Sequence, residues 1–223
     1  MNSLPINILF ILIVIGTIIW FYMATKSKSF LLLIITMTIF QSVLGISGIY
    51  QNTEIMPPRI LLFGIFPALV FILVSFLTAK GRDFIDKIDL KTLTYFHSIR
   101  IPVEIVLLLL FYQGVVSVYM TFEGTNFDLF SGITAPIVAY LTYRTSKENK
   151  KLLLWWNIIC LLLLLNVVIT AVFALPTPFQ KLAFDQPNIA ILYFPFNLLP
   201  TIIVPLVLFG HLVAFRQLCR TKL

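Results

Sequence analysis

Stretches of about twenty consecutive apolar residues, parted by short polar turns, leave this chain few ways to fold. A helix advances about 1.5 Å per residue and the hydrocarbon layer of a bilayer is about 30 Å thick, so one such run crosses it with every backbone amide bonded inside the helix. Runs of that length occupy residues 5–24, 30–50, 60–79, 101–122, 152–175 and 194–215, and a shorter one covers 130–143. The chain is 60% hydrophobic and only 11% charged, where soluble domains carry about 25% charged residues. A soluble fold is therefore excluded. The runs are continuous and lack the period of two that separates lipid from lumen, which excludes an outer-membrane barrel. The pattern predicts an all-α polytopic bundle, a single domain of seven transmembrane helices over residues 1–223.

Basic residues fall in every second connection. Lys26 and Lys28 follow the first run, Lys80, Arg82, Lys87 and Lys91 the third, Arg144, Lys147, Lys150 and Lys151 the fifth, and Arg216, Arg220 and Lys222 the seventh. The other connections hold Arg59 and Lys181, with Arg100 at the expected membrane boundary. Cytoplasmic loops are enriched in Lys and Arg, so the N-terminus is expected outside and the C-terminus in the cytoplasm. Anionic head groups answer the net charge of +7, and no nucleic-acid partner is called for. The minimal loops suggest a multi-pass protein of a bacterial inner membrane. Nothing basic precedes the first run, which is expected to stay in place as a span instead of being cleaved as a signal. Cys160 sits mid-run and Cys219 near the inner end, so no disulfide is expected, and Cys219 does not stand fourth from the end as prenylation would require.

Two connections carry more than turns. The inner segment 81–91 interleaves Phe84, Ile85, Ile88 and Leu90 with charges, as a surface linker or a short interfacial amphipathic helix would. The outer segment 123–132 holds Glu123, Asn126 and Asp128; these could meet a cation, although Asp128 is better placed to cap the next helix. Tyr22 to Lys28 followed by a leucine run resembles Tyr143 to Lys147 followed by another, and the third and seventh runs share interior prolines. These likenesses hint at two parallel three-helix halves, the arrangement of some sugar transporters, but the chain lacks the Pro-Gln dipeptide expected in that class.

Ionisable residues inside spans are costly and generally face the bundle interior. His97, Arg100 and Glu104 recur at spacings of three and four, on one helical face. His211 in the seventh run lies at a similar depth from the basic inner edge. Arg100 is suited to an anionic group, Glu104 and His97 to proton coupling, and His211 to a facing polar position. Pro200 and Pro205 would shape the seventh helix, since an interior proline frees a carbonyl that must find another partner. The simpler alternative leaves Arg100 and Glu104 as a local pair among head groups, with Pro102 in the first turn of its helix. Gln41, Gln113, Asn157 and Asn166 are expected to hold helices together, and Trp20, Trp155 and Trp156 to lie in the interfacial aromatic belt.

Phosphate loops, zinc-protease helices and serine nucleophile elbows do not occur, and the seventh run has no lysine for a retinal Schiff base. These residues favour binding or transport of a small molecule or ion through a cleft near the fourth and seventh helices, with no catalytic residue and no cofactor. Two alternatives stand beside it. One is a haem redox protein with His97 and His211 as axial ligands, the only metal role the sequence offers. The other is a non-catalytic subunit whose partner is another membrane protein.

Overall fold

The computed structural model describes residues 3–144 and 148–220. Lys147, Lys222, part of the second repeat motif and the chain end on which the prenylation reading turns lie outside them. The described chain is all helical, with no strand. Helices α1 (Leu4–Thr25), α2 (Lys28–Ile46), α3 (Ile60–Leu77), α5 (Leu90–Tyr112), α7 (Lys150–Phe173) and α8 (Leu199–Arg220) are each long and apolar enough to cross a membrane. Between them lie the short α4 (Ala79–Ile85) and α6 (Asp128–Tyr143), whose 16 residues fall below that length. The chain is a multi-pass membrane protein.

Burial picks out the two central helices. In α5 and α8, 61% and 56% of the most apolar stretch is buried inside the protein, against 33% or less in the other spans. Those four present leucine, isoleucine and phenylalanine outward, as a lipid-facing surface requires. Around Phe209 of α8, the rings of Phe21, Phe30, Phe71 and Phe76 gather at centroid distances of 5.9 to 6.2 Å and bind α1, α2 and α3 to it.

Helix α5 begins well before the predicted span and ends before it. Asp89 starts it, accepting from the backbone amides of Lys91 and Thr92. Pro102 therefore sits inside the helix and not in its first turn. Its ring clashes with the carbonyl four residues back and it supplies no amide, and the chain tightens into a 3-10 turn over His97–Ile99. Proline acts similarly elsewhere. Pro67 releases the Phe63 carbonyl, α3 widens to a π-helix over Ile60–Ile65, and the Gln41 side chain donates to the released oxygen at 2.8 Å. A second π-wound segment, Leu199–Ile203, opens α8 ahead of Pro205. It packs on the first at Gly64, where an added Cβ would stand 2.5 Å from the Thr201 methyl.

The inner connection holds the short helix α4 and is pinned to the bundle, so it is more than a surface linker. Ile85 and Ile88 are buried. Asp86 accepts from Arg216 Nε and Nη2 at 2.9 and 3.1 Å and also from Arg220, while Gln217 donates to the carbonyls of Ile85 and Ile88. At the opposite end of the bundle, Gln186 donates to the carbonyls of Phe111 and Val116, and the backbone of Ile189 and Ala190 to that of Val115. This strap fixes residues 186–198 over the ends of α5 and α7, so α8 begins later than the predicted seventh span.

Candidate functional site

The polar residues predicted on one face of α5 turn inward, where α6, α7 and α8 meet it. Arg100 is 3% exposed, its side chain enclosed by the bundle. Its Nη1 donates to Asp128 Oδ1 at 2.7 Å and its Nη2 to His211 Nε2 at 2.6 Å. Because a guanidinium only donates, His211 Nε2 must offer its lone pair and the proton must sit on Nδ1. That proton points at Asn157 Oδ1, 2.7 Å away, and Asn157 Nδ2 returns a bond to the His211 carbonyl at 3.1 Å. Donation therefore runs outward from Arg100 in two directions, to Asp128 on one side and through neutral His211 to Asn157 on the other.

His97 joins this chain by stacking. Its ring lies 4.1 Å from that of His211, centroid to centroid, at an interplanar angle of 25°, with the Trp156 indole edge-on at 5.6 Å. Trp156 is thus an inward residue, donating to Thr134 Oγ1 at 2.9 Å, and only Trp155 is exposed as a belt residue would be. The close approach of α6 depends on Gly132, where a Cβ would stand 2.9 Å from Ile101 Cγ1 and 3.1 Å from the Ile101 amide.

Glu104 lies one turn further along α5, 2% exposed. Asn126 Nδ2 donates to both its carboxylate oxygens at 2.8 Å and to the Met120 carbonyl at 2.9 Å. Asn126 Oδ1 accepts from the Asp128 amide at 2.9 Å, so Asn126 and not Asp128 supports the start of α6. The outer cation site does not assemble. Asp128 and Asn126 turn inward, whereas Glu123 accepts from the Tyr112 hydroxyl at 2.8 Å.

Two expectations for these residues meet this geometry. Arg100 was suited to an anionic ligand, but both its terminal nitrogens are engaged by Asp128 and His211, so its charge is answered within the protein. The haem alternative asks two imidazoles to aim a nitrogen at iron from opposite faces of a porphyrin. Rings stacked at van der Waals distance leave no gap for the macrocycle, and the lone pair of His211 is already taken. The site does not fit haem. Among the described residues no group of three or more His, Cys, Asp or Glu side chains is disposed to hold a metal ion.

Beside this network lies a cavity of about 300 Å³. Its walls come from Ile60, Leu61, Ile65 and Leu69 of α3, from Leu164, Val168 and their neighbours on α7, and from Pro200, Val204, Pro205 and Leu208 of α8. Glu104 and Asp128 on the bundle-centre side and Asn188 of the strap are also among its lining residues. Asn188 is fully buried, and neither atom of its side-chain amide has a hydrogen-bond partner. Sequence reasoning placed Asn188 in a turn; no local pattern marks it, because its place depends on the strap that carries it over α5 and α7.

Residues 57–219 match a family described as a domain of unknown function (DUF8737). The chain belongs to this family. The matched region contains the whole cavity and the whole polar network, leaving α1 and α2 outside it. No curated protein and no solved structure matches the chain.

Proposed function

We propose that this protein is a seven-span membrane protein, N-terminus outside and C-terminus cytoplasmic, that binds and moves a small molecule or ion through the cavity between α3, α5, α7 and α8. Helix α6 serves as the shorter, fifth span. Its sixteen residues rise about 24 Å, and local adjustment of the bilayer accommodates a short span. The alternating basic connections support this orientation, and the compact loops suit a bacterial plasma membrane.

The observation that carries the reading is an apolar cavity whose lining includes two buried acidic residues, Glu104 and Asp128. Polar groups at bilayer depth are expensive and mark ligand or ion pathways. Pro200 and Pro205 stand on the cavity wall, and the π-wound segments of α3 and α8 meet beside it. Such single-turn departures from α geometry cluster at functional sites. Glu104 faces the occupant. Arg100, His211 and His97 act behind it, holding Asp128 in place and supplying buried groups for proton coupling.

Ala171, on the α7 wall, offers a test that spares the polar network. Detergent-purified wild type and Ala171→Phe are screened by thermal shift against one library of neutral, cationic and anionic lipophilic compounds. Compounds that stabilise the wild type and not the filled variant support the reading. A library without hits, or hits that stabilise both proteins equally, overturns it.

A further inference from the structure

Charge counting within the buried cluster goes further than the existence of a site. Arg100 contributes one positive charge; Asp128 and Glu104 are two carboxyls. His211 accepts from Arg100 and is neutral. Asp128 takes the guanidinium in a direct ion pair at 2.7 Å, and Glu104 has only the amide of Asn126. Around Glu104 the charged or titratable neighbours are Arg100 on its own helix and Asp128 on α6, with the two histidines behind Arg100. The packed stretches of α1, α3 and α7 bring it no charge. An ionised carboxylate left unpaired in such surroundings is strongly disfavoured. Glu104 must therefore carry a proton or face a cation.

The rest of the cavity describes that cation. Its walls are aliphatic on three helices, which suits a ligand with a large apolar surface and not a hydrated metal ion. The lining residues Leu69 of α3 and Leu165 of α7 are 44% and 41% exposed, which puts this side of the cavity against the bilayer and makes it the shortest way in for a lipid-soluble ligand. Asn188 offers an unpartnered amide whose oxygen can turn to a positive charge, its NH2 being equally unpartnered. Resting on the ligand-binding reading above, we propose that the occupant is a lipophilic monocation that enters from the membrane and displaces the proton of Glu104. The exchange conserves charge inside the bundle: the cation pairs with the carboxylate as its proton leaves to water.

The probes are tetraphenylphosphonium and tetraphenylborate, of like shape and opposite charge. Binding to detergent-purified protein is followed by equilibrium dialysis, and proton release by a pH-indicator dye in weakly buffered solution. The cation is expected to bind with release of about one proton and the borate not to bind. Affinity should rise about tenfold per pH unit while free Glu104 holds its proton. Glu104→Gln should abolish proton release and weaken binding at least about tenfold. Asn188→Leu, which breaks no side-chain hydrogen bond, should weaken binding and leave the proton count unchanged. Equal binding of both probes, cation binding without proton release, or undiminished binding in folded Glu104→Gln would overturn the proposal. Neutral compounds that stabilise the wild type but not Ala171→Phe, with no binding of the phosphonium, would defeat the cation and leave the binding site standing.

Discussion

Arg100 is the residue whose burial organises the others. A guanidinium 3% exposed survives in a bundle of leucine and phenylalanine because its terminal nitrogens are met by a carboxylate and an imidazole. Removing one partner of such a pair leaves the other buried and uncompensated, which costs more than the pair contributes. Asp128→Ala should therefore lower stability by about 3–5 kcal/mol, measured by unfolding in mixed micelles. The double variant Arg100→Met with Asp128→Ala should recover part of that loss. A double variant as unstable as the sum of both singles would refute the pairing. Half of this centre was legible in the sequence. His97, Arg100 and Glu104 follow the helical period, so one face could be read from spacing alone. Their partners could not: Asp128 looks like a cap, Asn126 like a loop residue and Asn157 like helix adhesive. Contacts across 28 or 54 positions of chain leave no local mark.

The elements were legible as apolar runs but not in their bounds or internal winding. Hydropathy places the fourth run too late because its early turns carry His97 and Arg100, which read as polar edge. In the structure these residues face inward and the helix begins at Asp89. Interior prolines mark distortion in the sequence, yet the kind of distortion depends on who takes the released carbonyl. For Phe63 it is Gln41 from the neighbouring helix. The inner cap adds a titratable element outside the bilayer. The hydrogen bond from Arg216 holds the Asp86 carboxyl below its usual range, with the charges of Arg216 and Arg220 adding to it. A carboxyl lowered by folding contributes stability above its unfolded value of about 4, and that contribution is lost as pH falls through the folded value. Because the pair is partly exposed it is also weakened by salt. The protection of amides across Ala79–Ile85 against hydrogen exchange, relative to the intrinsic rate at each pH, should therefore fall below about pH 4, and Asp86→Asn should show the reduced protection already at neutral pH. Unchanged exchange in that variant would mean that the apolar contacts of Ile85 and Ile88 hold the cap alone.

At the scale of the whole molecule, the asymmetry of charge on which the proposed orientation rests also bears on which end of the cavity would meet which compartment. The basic connections gather at the end capped by Asp86, Arg216 and Arg220, and the strap carrying Asn188 closes the other. In the proposed orientation, with the basic end in the cytoplasm, Glu104 would lie between an outer strap that supplies an amide and an inner network that ends in stacked histidines. A cavity open to lipid at its side then needs no aqueous mouth, and a proton leaving Glu104 has the Arg100 network on one side and the strap on the other. The orientation can be read without engineering, because the chain holds one exposed cysteine, Cys219, at its basic end, and one buried, Cys160. A membrane-impermeant maleimide added to intact cells should leave the protein unlabelled, and the same reagent after permeabilisation should label it once, at Cys219. Labelling of intact cells would invert the orientation and put the histidine network on the outer side of the cavity. Exchange at Glu104 would then draw its proton from the opposite compartment.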